Sequence, residues 1–490
     1  MGTIAKQTLR GSVLSYAGIG FGFLTAGLLF PKFLTKEEIG VLYLLIKYAL
    51  LFSFFANLGF NTITLKLFSF YRDPEKNHNG FFSLKLLVNL VGFLLFCVLF
   101  YFLKPLLIER NLEQSKMLVD YLYLLSPLVA IYMTFGLLDT YNRVLYNAVQ
   151  GTFLRDFVQR IVILFFLGFF IIGYLNFTDF LHTYLVAMCV PILGLIYYLS
   201  KRKELKISFS SIKLTKEQRT EMISVGAFGL FSGIAPILVS TIDTIMVNDY
   251  LGTDKTGVYA TMIFFSTVII APSKALVRIG TPFIADAWKE NNLVKIDELH
   301  KRSSINQLLF SALVFIGIWA NMDNLFEIIP EFSEGKYIVF YLGLASLANM
   351  ILGMNQVILS TSPLYKYQTL FVIILSVSVV VSNLIFIPKY GIVGAAIATL
   401  VATVIVNIAK WFFVYVKLKT QPFSLKTVVL ISIIIATYII QDTIPKMYFL
   451  VDLPIRSFVI TALFIGTCYF LKVSDDLNRQ VNKVLQMFSK

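Results

Sequence analysis

Residues Gly226–Asn292 read GAFGLFSGIAPILVSTIDTIMVNDYLGTDKTGVYATMIFFSTVIIAPSKALVRIGTPFIADAWKENN. Two long apolar runs are joined by a short polar turn at residues 248–256, and each run is long enough to cross a bilayer at a rise of about 1.5 Å per residue. The stretch is therefore a predicted transmembrane hairpin. Its first arm carries Asp243 and its second Arg278, and ionisable groups inside a span usually serve function.

The turn of this hairpin has a counterpart near the start of the chain. Residues 33–43 (FLTKEEIGVLY) and 250–259 (YLGTDKTGVY) each place a Leu six positions before a Gly. The two glycines, Gly40 and Gly257, are 217 positions apart in a chain of 490 residues. An offset close to half the chain predicts two homologous lobes.

Composition defines the broad class. The chain is 57% hydrophobic and only 14% charged, whereas soluble domains are about 45–50% apolar and about 25% charged. The net charge of +14 comes from basic residues in short loops between apolar runs, where anionic lipid is the expected partner and nucleic acid is not.

The apolar runs that are long enough to span a bilayer number about fourteen. The sequence therefore predicts an all-α integral membrane protein. The predicted spans are 11–31, 40–65, 81–103, 121–148, 154–175, 180–199, 222–248, 256–284, 304–329, 337–361, 366–387, 391–417, 424–441 and 453–472.

Loop charge predicts the orientation. Lys and Arg concentrate on the side of the N-terminus, most strongly in Lys201–Glu221, whereas the loop at residues 323–334 is acidic. Both termini are therefore predicted to be cytoplasmic. The predicted organisation is an N-terminal six-helix lobe (1–200), a basic cytoplasmic loop (201–221), a second six-helix lobe (222–419), a C-terminal helix pair (420–472) and a cytoplasmic tail (473–490).

The predicted arrangement of spans and loops disfavours an enzymatic function. No loop is long enough to hold a separately folded catalytic domain, and the sequence lacks a phosphate-binding G-x-x-x-x-G-K-[ST] loop, H-E-x-x-H and G-x-S-x-G. We therefore predict no catalytic residues, no structural metal and no cofactor. The histidines, which lie in or beside loops without metal-ligand spacing, are predicted to be solvated.

Five charged side chains inside the spans are candidates for a polar lining: Lys47, Asp139, Arg143, Lys274 and Arg278. Asp139 and Arg143 are four residues apart and therefore share a helix face, where they can form an ion pair. Lys274 and Arg278 have the same spacing and also share a helix face. A lone charge at the bilayer centre costs ~2.5–3.5 kcal/mol on insertion scales. These groups are therefore expected to face a wet cavity, a partner charge or, by snorkelling, the interface.

Amides add to this lining. Asn57, Asn61, Asn355 and Gln356 lie in predicted spans, where amide groups either hydrogen-bond between helices or line a cavity. Together with the five charged residues they form the predicted substrate cavity.

Three motifs carry a family resemblance. They are NLIFIPKYGIVGAAIATL at residues 383–400, S-T-I-D-T-I-M-V with L-G-x-x-x-x-G-x-Y at residues 240–259, and L-T-K-E-E-I-G-V-L-Y at residues 34–43. They resemble those of the polysaccharide flippases in the multidrug, oligosaccharidyl-lipid and polysaccharide exporter superfamily. The resemblance covers predicted helices one to twelve, and the last two helices are similar to a pair found in some branches.

The resemblance implies two six-helix lobes around a central cavity, with alternating access. The expected cargo is an undecaprenyl-pyrophosphate-linked oligosaccharide, a repeat unit of O-antigen (lipopolysaccharide), capsule or exopolysaccharide, moved across the bacterial inner membrane. Membrane lipids, a glycan polymerase and glycosyltransferases are the implied partners. Relatives couple transport to Na⁺ or H⁺, and Asp243, Asn383 and Thr399 stand at similar positions. A second acidic ligand on helix eleven is absent, which leaves the coupling ion open.

Two other functions are weighed against this one. A multidrug or small-solute cation antiporter of the same superfamily is expected to carry more acidic groups inside its lobes. A polytopic glycan polymerase or ligase is expected to carry a long outer loop with catalytic residues. The predicted lining is basic and the loops are short, so both are disfavoured.

Overall fold

The computed structural model describes residues 17–209 and 214–488, and within these ranges it contains helices, turns and loops but no strand. The all-α membrane class predicted from the apolar runs is confirmed. The chain divides into two compact units, Met1–Ala260 and Thr261–Lys490. The predicted lobes, 1–200 and 222–419, have different limits and stay a prediction.

Long helices make up the first unit. They are α1 (Ala17–Phe33, with a π-helical stretch at Phe23–Leu29), α2 (Lys36–Ala56), α3 (Phe60–Tyr71), α4 (Phe81–Asn111), α5 (Lys116–Val144), α6 (Ala148–Phe153), α7 (Gln159–Ile171, preceded by a π-helical stretch at Leu154–Val158), α8 (Phe177–Lys201) and α9 (Lys216–Leu251).

One helix, α10 (Thr253–Lys289), continues from the first unit into the second. The helices that follow are α11 (Leu293–Ala320), α12 (Met322–Ile328), α13 (Lys336–Met350), α14 (Asn355–Thr361), α15 (Tyr365–Leu418), α16 (Leu425–Ile440), α17 (Phe449–Phe470) and α18 (Asp475–Phe488). Short 3₁₀ turns lie at Asn77–Gly80, Leu122–Leu124, Pro330–Gly335 and Gln441–Thr443.

Ten helices in the described residues are long and apolar enough to cross a membrane, or eleven if the bent pair α13 and α14 is one span. The predicted number of fourteen is not confirmed. The predicted span 11–31 lies partly outside the described residues, and its described part falls in the short helix α1. The predicted span 154–175 corresponds to a helix with a π-helical stretch, and the span 337–361 to a pair bent by 49°. Two more, 366–387 and 391–417, fall within α15.

The predicted span 40–65 is wrong as a single helix, because α2 ends at Ala56 and α3 begins at Phe60. Between them Leu58 and Gly59 adopt left-handed backbone angles, with φ of 51° and 72°, which no continuous α-helix contains. The predicted spans 121–148 and 304–329 also extend past the observed helix ends, at Val144 and Ala320.

The chain reverses inside α15. Gly391 has φ 60° and ψ −140°, a combination that glycine adopts far more readily than other residues. A Cβ on Gly394 would lie 2.0 Å from the carbonyl oxygen of Phe386, although residues eight apart in one straight helix are separated by about 12 Å. The two predicted spans are therefore two arms of a hairpin, and the small residues after Gly391 permit their close contact.

The two glycines of the predicted repeat lie against each other. A Cβ on Gly40 would lie 2.1 Å from the carbonyl oxygen of Thr253, and a Cβ on Gly257 would lie 1.8 Å from that of Lys36. Lys36 and Thr253 are themselves 217 positions apart. Each contact therefore has its counterpart at the same offset, which is the reciprocity of a two-fold symmetric interface. Both contacts lie within the first unit.

Separate hydrophobic clusters hold each unit. Phe68, Phe81 and Tyr141, from α3, α4 and α5, belong to a buried cluster in the first unit. In the second unit Phe315 of α11 and Phe464 of α17 belong to another. Aromatic side chains of this size bury about 150–250 Å² each and dominate such cores.

The tail helix α18 is tied to α11. Arg302 donates to both carboxylate oxygens of Asp476, at 2.7 Å for Nε, and Asn306 Nδ2 donates to Asp476 Oδ2 at 2.7 Å. The hydrogen bond from Arg302 and the one from Asn306 hold the pKa of Asp476 below its ordinary value of 3.8, against the effect of partial burial.

Candidate functional site

The predicted site residues are divided between the two units. The first holds Lys47, Asn57, Asn61, Asp139, Arg143 and Asp243, and the second holds Lys274, Arg278, Asn355, Gln356, Asn383 and Thr399.

Asp139 and Arg143 form the ion pair that their spacing predicts. Arg143 Nη2 lies 2.7 Å from Asp139 Oδ2; the carboxylate is buried and the guanidinium is exposed. A second cation, Lys85 on α4, is only 1% exposed and interacts electrostatically with Asp139. Its Nζ has no hydrogen-bond partner among the described residues. Two basic side chains therefore lie beside the Asp139 carboxylate, and of these only Arg143 is exposed.

Lys47 and Asp243 occupy one polar site in the first unit. Lys47 Nζ donates to the carbonyl oxygen of Ser240 at 2.6 Å and interacts electrostatically with Asp243. The Asp243 carboxylate is 8% exposed and accepts a hydrogen bond from the hydroxyl of Tyr259 at 3.2 Å. Asp243 of α9, which is predicted for cation coupling, thus lies near Lys47 of α2, which is predicted for substrate binding.

Asn57 and Asn61 flank the break between α2 and α3. Asn57 Oδ1 accepts the backbone N–H of Asn61 at 2.8 Å, so its amide stabilises the break itself. The side chain of Asn61 is half-buried against α5: a Cβ on Gly136 would lie 3.3 Å from its Nδ2. Asn61 Oδ1 accepts no hydrogen bond within the described ranges.

Lys274 and Arg278 are both exposed on α10. Neither has a carboxylate within 4.0 Å in the part of the chain that the structure describes. Arg278 lies eleven residues before the end of α10, about 16 Å along the helix. Two residues further on, Gly280 packs against Met354, where an added Cβ would lie 2.3 Å from the methionine Cε. The break before α14 therefore lies beside the turn of α10 that carries Arg278.

Asn355 and Gln356 begin α14 but differ in environment. Asn355 is 1% exposed, and its side-chain amide makes no hydrogen bond within residues 17–209 and 214–488. Gln356 is exposed. A buried amide left unpaired costs about 1–3 kcal/mol, so Asn355 is a candidate to bind a polar ligand or a water molecule.

Asn383 and Thr399 lie on the two arms of α15, Asn383 fully buried and Thr399 half-buried. Asp243 belongs to the other unit. A coupling site that unites these three residues stays a prediction.

Sequence reasoning missed Lys85 and Tyr259, and it misplaced two histidines. Lys85 lies four residues after the start of α4, where lysine usually reaches the interface, and no local pattern marks it as buried. His300 is 0% exposed, with Nδ1 3.0 Å from Thr420 Oγ1 and Nε2 3.1 Å from the Leu352 carbonyl. The prediction that the histidines are solvated is therefore wrong at His300, and also at His78, which is 2% exposed.

The family described as polysaccharide biosynthesis protein matches residues 6–288, more than half of the chain. The chain belongs to this family. One relative, the probable low-salt glycan biosynthesis flippase Agl15 of Haloferax volcanii, is 23% identical over 199 residues, which are 40% of this chain and 42% of that protein. The match thus spans about two fifths of the length of that curated relative.

Solved structures share the fold of this polysaccharide biosynthesis family member. The lipid II flippase MurJ, in an inward closed conformation, superposes with a TM-score of 0.74 and 15% identity over 95% of this chain and 100% of that one. An inward-facing multidrug resistance MATE transporter of the MOP superfamily gives a TM-score of 0.63 and 14% identity over 83% and 94%. At these identities the likeness establishes the fold alone. The proteins named here are flippases or transporters rather than enzymes.

Proposed function

We propose that this chain is a flippase that moves an undecaprenyl-pyrophosphate-linked oligosaccharide from the cytoplasmic to the outer leaflet of a bacterial inner membrane by alternating access. Membership of the polysaccharide biosynthesis family and a fold shared with a lipid II flippase support this function. The cargo is a repeat unit of O-antigen, capsule or exopolysaccharide. Glycosyltransferases make this substrate and a glycan polymerase consumes the product.

The observation that carries the proposal is the pair Lys274 and Arg278. Both cations are exposed on an apolar helix and have no carboxylate within 4.0 Å among the described residues. Each cation in the hydrocarbon costs ~2.5–3.5 kcal/mol unless water or an anion meets it. A pyrophosphate offers several oxygen acceptors, and charge-assisted hydrogen bonds from guanidinium and ammonium groups are the strong ones.

The three parts of the cargo need three environments. The pyrophosphate binds the basic side chains, the sugar hydroxyls meet amide groups such as those of Asn61 and Asn355, and the polyprenyl chain stays in the lipid. No covalent bond is made or broken. Alternating access then depends on how the bound anion changes the relative stability of the two orientations.

The buried charges favour an anionic cargo over a cationic drug. Asp139 is paired with Arg143 and lies near Lys85, and Asp243 lies near Lys47 and accepts from Tyr259. A cation antiporter needs a carboxylate that is available to its substrate. Here Asp139 is already held in an ion pair with Arg143, which disfavours the antiporter as the alternative function.

Transport is coupled, we propose, to Na⁺ or H⁺ at Asp243, with Asn383 and Thr399 supplying oxygen ligands if the ion is Na⁺. Neutralising Asp243 weakens its attraction to Lys47. This change gives the ion a way to alter the balance between two conformations. Asn383→Ala is expected to impair transport only if the ion is Na⁺.

Glycan export in cells tests the role of Arg278. We expect Arg278→Ala to lower export by at least about tenfold, because a lost charge-assisted contact costs ~1.5–3 kcal/mol. Arg278→Lys should restore part of it, since the charge returns without the bidentate geometry. The matched control is Lys289→Ala, at the exposed end of the same helix. Equal export by wild type and Arg278→Ala, at equal membrane abundance, would mean that Arg278 only snorkels.

A further inference from the structure

A polar cavity of about 250 Å³ opens in the second unit. It lies where α11 and α16 end and where α13 and α17 begin, beside the loop predicted to face the outside. Trp319 and Tyr438 form an aromatic wall, with ring centroids 6.5 Å apart and planes inclined by 26°. Amide groups of Asn324 and Gln441 also line it. None of these residues belongs to the predicted substrate cavity.

The charges that line the cavity are already compensated. Arg456 Nε lies 2.7 Å from Asp452 Oδ2, and both residues are buried. Lys336 Nζ lies 2.5 Å from Asp323 Oδ1. A charged ligand in contact with Arg456 or Asp452 would have to separate this buried pair, which is strongly unfavourable. The cavity therefore suits a ligand that is polar but neutral.

Lys446 and Asp442 lie at the rim of the cavity, and each has a polar partner. Lys446 Nζ lies 2.9 Å from Glu327 Oε1, and the Asp442 carboxylate accepts from the side-chain amide of Gln441. Lys446 is thus neutralised by an ion pair, whereas the Asp442 carboxylate accepts from a neutral amide and interacts electrostatically with Arg456.

One buried hydrogen-bond acceptor, the side-chain oxygen of Asn324, has no donor among the described residues. Asn324 is 1% exposed; its Nδ2 donates to Asp452 Oδ2 at 2.6 Å and to Asn321 Oδ1 at 3.2 Å. Its Oδ1 accepts no hydrogen bond in the described part of the chain. A buried acceptor without a donor is unfavourable, and a hydroxyl group of a ligand would supply that donor.

We infer that this cavity binds one neutral sugar unit of a glycan. A sugar ring has an apolar face that packs on an aromatic wall, and its hydroxyls both donate and accept. The volume greatly exceeds the ~10–15 Å³ that one water molecule needs and lies just below the ~300–1,000 Å³ of drug-sized sites, which fits a monosaccharide rather than a chain. The choice of a sugar rests on the proposed function, because a glycan is then the cargo at this face of the membrane.

The test uses the purified full-length protein with Trp288 and Trp411 replaced by Phe, which leaves Trp319 as the reporter. We expect neutral monosaccharides such as galactose and N-acetylglucosamine to change its fluorescence saturably in the millimolar range and to protect it from acrylamide quenching. Tyr438→Leu should weaken binding by about tenfold. The matched control is Tyr337→Leu: Tyr337 also lies beside Trp319, with ring centroids 6.1 Å apart, but outside the cavity. It should change binding by less than about twofold.

Three results would overturn the inference: no saturable change and no protection in the folded protein, binding of charged sugars such as glucuronate or glucosamine alone, or equal losses in the two tyrosine variants. Protection from acrylamide quenching is measured in the protein with Tyr438 intact. It therefore tests sugar binding even if the Tyr438→Leu variant does not fold. Translocation of the lipid-linked substrate is measured separately. Sugar binding without translocation would therefore contradict the proposed function but support the sugar site. Translocation without sugar binding would support the proposed function but contradict the sugar site.

Discussion

The reciprocal glycine contact makes a sharp prediction about stability. In Gly257→Ala the new methyl group would lie 1.8 Å from the Lys36 carbonyl oxygen, whereas ordinary contacts begin near 3.4 Å. The two helices must then separate by about 1.5 Å, since backbone atoms cannot rotate away. Overpacking of this kind costs typically 1–3 kcal/mol, and we expect about 3 kcal/mol here. The matched control is Gly168→Ala, also in a helix of the first unit, where an added Cβ meets nothing within 4 Å. It should be neutral or stabilising by ~0.4–1 kcal/mol.

The double variant tests the symmetry itself. A Cβ on Gly40 clashes with Thr253 across the same interface, so the separation caused by one alanine makes room for the other. We expect Gly40→Ala and Gly257→Ala to be non-additive, with a coupling energy of about 1–2 kcal/mol. The free energy of unfolding is measured by SDS titration followed by circular dichroism. The reasoning is refuted if Gly257→Ala is as stable as Gly168→Ala, or if the two glycine effects simply add.

Three further predictions concern topology, coupling and the tail. Cysteine labelling in intact cells should reach residues 323–334 from outside and Lys201–Glu221 only after permeabilisation; external labelling of the latter would reverse the orientation. Asp243→Asn should impair transport and abolish its dependence on an imposed Na⁺ or pH gradient, and unchanged dependence would leave Asp243 as a structural partner of its neighbours. Because the pKa of Asp476 is lowered in the folded state, its contribution to docking of α18 is fully present above about pH 4 and is lost as the pH falls through that lowered pKa. The hydrogen-exchange protection factors of α18, which correct for the intrinsic pH dependence of exchange, should therefore fall in acid, and in Arg302→Ala they should already be low at neutral pH.

Local patterns in the sequence predicted what depends on local geometry. Apolar runs predicted the helices, because a span must satisfy its backbone hydrogen bonds internally. The spacing of four predicted the Asp139–Arg143 ion pair. The repeat of Gly40 at Gly257 predicted equivalent helices, and the structure places these glycines in reciprocal contact.

Features that depend on packing between distant segments were not predictable. The left-handed turn at Leu58 and Gly59 lies inside a continuous apolar run, so hydropathy gave no sign of it. Burial of Lys85 is set by helices far away in sequence. The polar cavity of the second unit is lined by Trp319 and by Tyr438, which is more than a hundred residues later in the chain. Both residues lie near helix ends that no sequence motif marks.

Movement of a lipid-linked oligosaccharide across a sealed bilayer tests the proposed function most directly. The purified protein is reconstituted into vesicles with a fluorescent undecaprenyl-pyrophosphate-linked oligosaccharide, and a membrane-impermeant glycosidase reports the fraction exposed outside. The flippase account predicts that wild type makes nearly all of the substrate accessible, that Arg278→Ala slows this at least about tenfold, and that Lys289→Ala behaves as wild type. Folded wild-type protein that leaves accessibility at the level of protein-free vesicles, with and without Na⁺ or pH gradients, would contradict it.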